Sequence, residues 1–337
     1  MLRGLLYLSA TDVRASMPPV AERIELAERA MTALVADAEL PPKIGVHPRP
    51  AGSFAHAMPA LLRSAGSADA SIGDLLGIKW VTGFPDNRSA GLEAISAIVV
   101  LSDPATGQPV AILDGGPITA ERTAAVSGVA IARFAPAAPP PGSGSSTVAV
   151  IGAGVQGASH LDVIGHLLPG ATVVIHDRHP ERAVALRDVA RGMSGIADAQ
   201  VTDDAREATA AAQIVVTCVS FSEPSARQPM DGDWLRHDAL VIPVDYATMC
   251  AASVARDAAL FLVDERGQFL ANRDAGQFDG YPDPAATFGE AIVAGTPRPP
   301  GGRVVATHLG VGLADVVFAD AIVARARAAG RGITLPA

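Results

Sequence analysis

The sequence predicts an α/β protein whose second half is a parallel β-sheet with helices on its faces. Two observations carry this. Five short β-rich runs, TVAVIGAG, ATVVIHD, AQIVVTCVS, DALVIPVD and ALFLVD, follow one another after residue 146, most of them separated by helix-like segments. Parallel strands joined by crossover helices produce that alternation. The second observation is a glycine-rich turn joining the first of these strands to a helix. The first half reads differently, as helix followed by antiparallel strands, and 337 residues suffice for two units with proper cores.

The elements follow in order. Within residues 11–37, Val20, Ile24, Ala27, Met31, Leu34 and Val35 recur at helical spacing with charges between them, which predicts one amphipathic helix. Lys43 follows two prolines and enters a strand. From 43 to 114 the pattern is strand-like, and SAIVVLSD and PVAILD flank SDPATGQ. There Asp103 starts an Asx-type turn, Pro104 fixes φ and Gly107 relaxes it, so a hairpin is expected. A helix follows over 119–134 with Thr119 as its N-cap. APAAPPPGSGSS at 135–146 is the one low-complexity stretch and reads as a linker. After the β-rich runs, a last helix over 312–329 is expected to pack back on the first unit.

Composition excludes several classes. The formal net charge is -9 and no dense Lys/Arg cluster occurs, which argues against nucleic acid or anionic membrane as partner. No apolar run approaches the ~20 residues of a membrane span. LLYLSA at the start is too short for a signal-peptide core of roughly 7–15 residues. The two cysteines, Cys218 and Cys250, make no metal spacing. His176 and His179 flank Asp177 but have no third ligand, so no metal is expected. A cytoplasmic enzyme or binding protein is the expectation.

TVAVIGAGVQGASHL places Gly152, Gly154 and Gly157 between a strand and a helix, the context that gives a G-x-G-x-x-G its meaning. The glycines permit a tight turn and let a pyrophosphate approach the helix N-terminus, so this unit is read as a Rossmann-type dinucleotide domain. The next strand ends at Asp177, an acceptor for adenosine ribose hydroxyls that favours NAD, while Arg178 leaves room for NADP. Asp177 also reads as a strand-end turn residue. Gln156 is either a diphosphate donor or an ordinary loop glutamine.

Three charged residues call for explanation. Lys79 sits inside GIKWVTGFPDN, either as an edge-strand lysine whose head reaches water or as a catalytic or anion-binding lysine. Arg122 in ITAERTAA falls in the first turn of the expected helix, where a cation opposes the macrodipole at a cost of ~0.3–1 kcal/mol. An anion held jointly by guanidinium and helix would compensate, and so would an ion pair with Glu121 or another acid. Asp245 ends DALVIPVD on the ligand side of a parallel sheet, where a functional and a capping reading stand side by side.

LPPKIGVHPRP, AMPALL, GIKWVTGFPDN, GLEAISAIVVLSDPATGQPVAILDG, TAERTAA, VIGAGVQG and PVDYAT occur in the order and spacing of the ornithine cyclodeaminase/mu-crystallin family, from about residue 40 to 330. The chain resembles its alanine dehydrogenase and imino-acid reductase branch. That resemblance implies a split α+β substrate-binding and dimerisation domain, 1–120 completed by 310–337, around a Rossmann domain at 121–309. It implies a homodimer, a small amino, imino or keto acid substrate, and NAD or NADP. By motif, Lys79 matches the active-site lysine, Arg122 the carboxylate-binding arginine and Asp245 the acid near the substrate amine. Lys43 and Met58 join the substrate set, and Gly152, Gly154, Val155, Gln156, Gly157, Asp177, Arg178 and Val219 the cofactor set. Departures weaken the literal name cyclodeaminase. Lys43 stands where those enzymes carry arginine, Ala94 where they carry threonine, and PVDYAT lacks their D-x-P-G-K run.

The chemistry so implied is hydride exchange between nicotinamide and an amino-acid Cα, reducing an imino acid or reductively aminating a keto acid. A cyclodeaminase using NAD catalytically and a non-enzymatic dinucleotide-dependent binder are the alternatives. The cofactor carries the hydride, while the protein orients the substrate and supplies charge and protons.

Overall fold

The computed structural model describes residues 4–64, 73–138, 145–222 and 224–336. The chain divides into two compact units, residues 1–122 with 310–337, and residues 123–309. Residues 139–144 of the expected linker lie outside the described residues. Among the described residues no helix is long and apolar enough to cross a membrane.

The first unit opens with β1 (Leu5–Leu8), α1 (Ala10–Ala15) and α2 (Val20–Ala33). The single helix expected over 11–37 is thus two. Pro18 and Pro19 lack N–H donors and disfavour helical geometry before them, so the chain breaks there. Ser9 caps α1 in a capping box with Asp12, and α2 buries Ile24, Ala27, Ala30 and Met31. Leu34 and Val35 lie beyond the end of α2.

Strands β2 (Ala38–Glu39), β3 (Ile44–Val46), β4 (Phe54–Leu62), β5 (Leu75–Gly83), β6 (Ile95–Ser102) and β7 (Pro109–Asp114) follow. The β6–β7 hairpin turns as its residues require. Asp103 Oδ1 accepts the Ala105 and Thr106 N–H groups, and Gly107 takes φ 72°. Helix α3 (Gly115–Phe134) begins earlier than expected, because Asp114 rather than Thr119 caps it. Asp114 Oδ1 accepts the Gly116 N–H at 2.9 Å, while Thr119 lies inside the helix and donates to the Gly115 carbonyl at 2.6 Å.

The second unit holds β8 (Thr147–Ile151), α4 (Val155–Leu167), β9 (Ala171–His176), α5 (Pro180–Arg191), β10 (Ile196–Val201), α6 (Ala205–Ala210), β11 (Ile214–Thr217), β12 (Leu240–Pro243), α7 (Ala252–Arg256), β13 (Leu260–Val263), α8 (Arg266–Asp274), β14 (Ala286–Thr287), α9 (Phe288–Val293) and β15 (Val304–Thr307). Its sheet runs β10-β9-β8-β11-β12-β15-β13-β14, with every pair parallel. The order reverses between β8 and β11, the switch point at which such sheets bind ligands. Because the strands are parallel, the turns after β8, β9, β11 and β12 leave the same edge. Phe261, Phe269, Phe278 and Tyr281 form an aromatic cluster in the core.

Helix α10 (Gly312–Ala328) and β16 (Ile333–Leu335) complete the first unit. Its sheet runs β16-β1-β7-β6-β5-β4-β2, with β3 paired to β4. Helix α10 packs on α2, β4, β5 and β6. One row across the strands, Met58, Lys79, Val99 and Leu113, is buried. The neighbouring row on the other face carries Trp80 and Ile98, both exposed.

Candidate active site

Lys79 lies on β5 with β4 and β6 paired on either side, so it is no edge-strand lysine. Strand alternation turns it to the buried face, where it is 1% exposed. Its Nζ donates to Asp315 Oδ1 on α10 at 2.8 Å. Arg122 Nε donates to the same oxygen at 3.2 Å. Arg122 is the eighth residue of α3, so the helix dipole, which acts within the first turn, does not bear on it. Nor does it pair with its neighbour Glu121, which forms an ion pair with Arg23. Gly310, at φ 81°, makes room for the guanidinium, because a Cβ there would come within 2.5 Å of Arg122 Nη1.

Lys79 and Arg122 are set against the single carboxylate of Asp315, so the buried cluster carries one surplus positive charge when the lysine is protonated. Burial pushes the Lys79 ammonium down to about 8; Asp315 opposes this, and Arg122 and Lys43 add to it. Burial raises the Asp315 carboxyl, but Arg122 and Lys79 outweigh it and hold it below its ordinary value. Asp315 Oδ2 is buried with no hydrogen-bond partner among the described residues. Met58, directly opposite Lys79 in the β4–β5 register, is buried beside it. Lys43 is half-buried and, with His47, follows burial in lowering His56 to about 4.

Sequence reasoning passed over Asp315. It stands 236 residues from Lys79 and joins it only in the fold. The available signal was a carboxylate within GLADVVFADAIV, where the apolar surroundings demand a partner.

In the second unit the three glycines differ in what they allow. Gly152 has φ 112°, and a Cβ on it would meet the Cys218 carbonyl oxygen at 2.6 Å. A Cβ on Gly157 would meet the Gly152 carbonyl oxygen at 2.2 Å, so the turn and α4 can close only without side chains at both. A Cβ on Gly154 would point into open space. That space adjoins the first turn of α4, whose N–H groups have no intrahelical acceptor. Val155 is exposed there, and Gln156 Oε1 is buried with no partner among the described residues. The open space at Gly154 and the first-turn N–H donors fit the diphosphate of a dinucleotide, whereas Gln156 Oε1, itself an acceptor, cannot meet a phosphate oxygen.

Asp177 follows β9 and accepts the Ala153 N–H at 2.7 Å and the His179 N–H at 2.8 Å. It therefore does act as a strand-end turn residue. Each oxygen keeps a second acceptor site for a ribose hydroxyl. Arg178 is exposed beside it.

Asp245, just past β12, is 3% exposed. Its oxygens accept the Thr217 hydroxyl at 2.9 Å and the Val219 N–H at 3.1 Å, which ties β12 to the loop after β11. Burial raises it to about 7 against those hydrogen bonds. These bonds tie two strand ends together and cap no helix, since the next helix, α7, begins at Ala252. The next residue, Tyr246, holds φ 61°, strained for a bulky side chain, and its ring packs on Phe221 and Phe278. The fold brings Lys79, Met58 and Arg122 together with Asp315 in one unit. In the other it sets Gly152–Gly157, Asp177, Val219 and Asp245 along one sheet edge.

A model of the ornithine cyclodeaminase/mu-crystallin family matches residues 8–248. The nodulation efficiency protein NfeD of Rhizobium meliloti is 30% identical, over 96% of this chain and 95% of its own. The ketimine reductase mu-crystallin of Mus musculus is 28% identical, over 74% of this chain and 75% of its own. The solved structure of Thermococcus litoralis Delta(1)-pyrroline-2-carboxylate reductase, in complex with NADH and L-proline, is 26% identical with a TM-score of 0.82, covering 98% of this chain and 100% of that one. A matched family model over most of the chain and a relative aligned end to end mean that this protein belongs to the ornithine cyclodeaminase/mu-crystallin family.

Proposed function

We propose that the protein is an NAD(P)H-dependent oxidoreductase that reduces an α-imino acid to the L-amino acid and catalyses the reverse oxidation. The observation that carries this is the buried Lys79–Asp315–Arg122 cluster with its surplus positive charge. An unbalanced buried cation is costly, and a substrate carboxylate is the anion that balances it. The relatives named as ketimine and pyrroline-2-carboxylate reductases support the same reaction class.

Gly152, Gly154, Val155, Gln156 and Gly157 would hold the diphosphate, Asp177 the adenosine ribose, and Val219 would line the site beyond β11. Arg178 would accept a 2′-phosphate, so NADPH is kept beside NADH. When bound, the reduced nicotinamide supplies the hydride. Arg122 and Lys43 bind the substrate carboxylate and so fix which face of the imine is presented. Lys79 holds the proton that the imine nitrogen requires, at an ammonium poised near neutral pH by burial. Asp315 keeps Lys79 and Arg122 at one spacing. Asp245 acts through Thr217 and Val219, shaping the loop after β11. Met58 packs beside Lys79 and excludes water from it.

Two copies would pair through the outer face of the first unit's sheet. Tyr7, Trp80, Ile98 and Ile333 are exposed there, while helices cover the opposite face. Exposed apolar side chains in two rows of one face of an eight-stranded sheet suit a second identical sheet face.

The test follows nicotinamide absorbance with cyclic imino acids, with keto acids plus ammonia or methylamine, and with diamino acids, measuring ammonia in parallel. Net NADH or NADPH oxidation with an imine is the expected result. Ammonia release from a diamino acid without net cofactor change would make the protein a cyclodeaminase. Cofactor binding with no turnover on any of them would make it a binder.

A further inference from the structure

The second unit buries a chain of three side chains that the proposed reaction does not use. Ser127 on α3 lies with its Oγ 2.8 Å from His160 Nε2 on α4 and 2.9 Å from His308 Nε2, just past β15. His160 Nδ1 lies 2.6 Å from the Gln156 carbonyl oxygen. Ser127 and His160 are fully buried and His308 is 2% exposed.

The hydrogen positions in this chain follow from its far end. A carbonyl oxygen only accepts, so His160 carries its proton on Nδ1. Burial pushes His160 down to about 4, so the ring is neutral and Nε2 is bare. The single Ser127 proton therefore goes to His160 Nε2. Ser127 Oγ then accepts from His308, which must carry a proton on Nε2. The chain has one polarity, from His308 through Ser127 and His160 to the Gln156 carbonyl.

We propose that Ser127 and His308 are positioning residues for the diphosphate turn, acting through His160 to fix and polarise the Gln156–Gly157 peptide. This rests on reading residues 152–157 as the dinucleotide turn. The carbonyl of that peptide accepts from His160 Nδ1 and also from the Ser159 hydroxyl at 3.0 Å. Donors on a carbonyl draw charge across its amide and make the opposite N–H a stronger donor, and each bond in a chain strengthens the next. Here that opposite N–H belongs to Gly157, the third residue of α4, in the turn whose donors have no acceptor within the helix. The relay also anchors the start of α4 to α3 and to the segment after β15, so the turn is held before any ligand arrives. An anion at the N-terminus of α4 meets a donor already strengthened and oriented.

The test compares wild type with Ser127→Ala, Ser127→Thr and His308→Phe, reading NADH dissociation constants, turnover at saturating NADH, and histidine tautomers by NMR of isotope-labelled protein. Ser127→Ala and His308→Phe are expected to weaken NADH binding by about three- to tenfold, the worth of a net hydrogen bond, with saturated turnover within about twofold of wild type. Ser127→Thr keeps the hydroxyl and restores the affinity. In wild type, His160 shows the Nδ1–H tautomer and His308 a proton on Nε2. The opposite tautomers in wild type would overturn the relay whatever the variants do. NADH affinity unchanged in Ser127→Ala and His308→Phe would overturn it while leaving the cofactor reading intact. Wild type that binds neither NADH nor NADPH would overturn both.

Discussion

Lys79 and Asp315 make separable demands on the protein. Lys79→Met leaves Arg122 paired with Asp315, so folding is kept while kcat/KM for imine reduction falls by ~10²–10⁴. Asp315→Asn leaves two buried cations without a counter-charge, which is expected to cost about 3–5 kcal/mol in denaturant unfolding. The pH profile has a definite sign. Lys79 is protonated below about 8, so kcat/KM for reduction, which reports the free enzyme, falls as pH rises through about 8. A profile flat through that range would remove Lys79 as the proton donor. Lys79 could be singled out in the sequence because a charge in GIKWV is conspicuous in an apolar run. Its burial could not, because alternation does not tell which face of a strand is covered. The partners of Asp315 were illegible for a different reason: they come from β5 and α3, and only packing against α10 joins them.

The element that sequence specifies most fully is the strand–turn–helix at 147–167, because each glycine answers a steric requirement. The three separate experimentally. Gly152→Ala and Gly157→Ala drive a Cβ into backbone and are expected to lower the melting temperature sharply. Gly154→Ala has room, so it should melt like wild type yet bind NADH more weakly, as calorimetry beside NADH titration would reveal. Equal NADH affinity in Gly154→Ala would argue that no ligand occupies that space. Helix starts were less legible. Thr119 and Asp114 are both good caps by composition, and the chain uses Asp114 because β7 delivers it directly into the helix. Likewise every periodic residue of the helix expected over 11–37 lies after the proline pair, so the periodicity belongs to α2 and the turn behind it, and backbone chemistry separates α1 from them.

At the scale of the whole molecule, the chain forms two units of different construction. Five strands of the parallel sheet could be read from their β-rich runs, because β8, β9, β11, β12 and β13 are apolar and largely buried, whereas β10, which carries Asp198 and Gln200, β14 and β15 are not among those runs. The first unit's sheet draws β1 and β16 from opposite ends of the chain, a pairing no local pattern announces. Its exposed apolar face leads to an expectation for assembly. Wild type should be a dimer by light scattering, and Trp80→Glu with Ile98→Glu should halve the mass. Monomeric wild type would contradict the proposed pairing. The central claim is hydride delivery to an imino carbon, and isotope transfer tests it most directly. Wild type is incubated with NADH deuterated at the nicotinamide C4, using each face in turn, and the cyclic imino acid that turns over, and the amino acid product is analysed by mass spectrometry. One deuterium at Cα from one of the two faces is the expected result; a product without deuterium from either face, or no product, would contradict it.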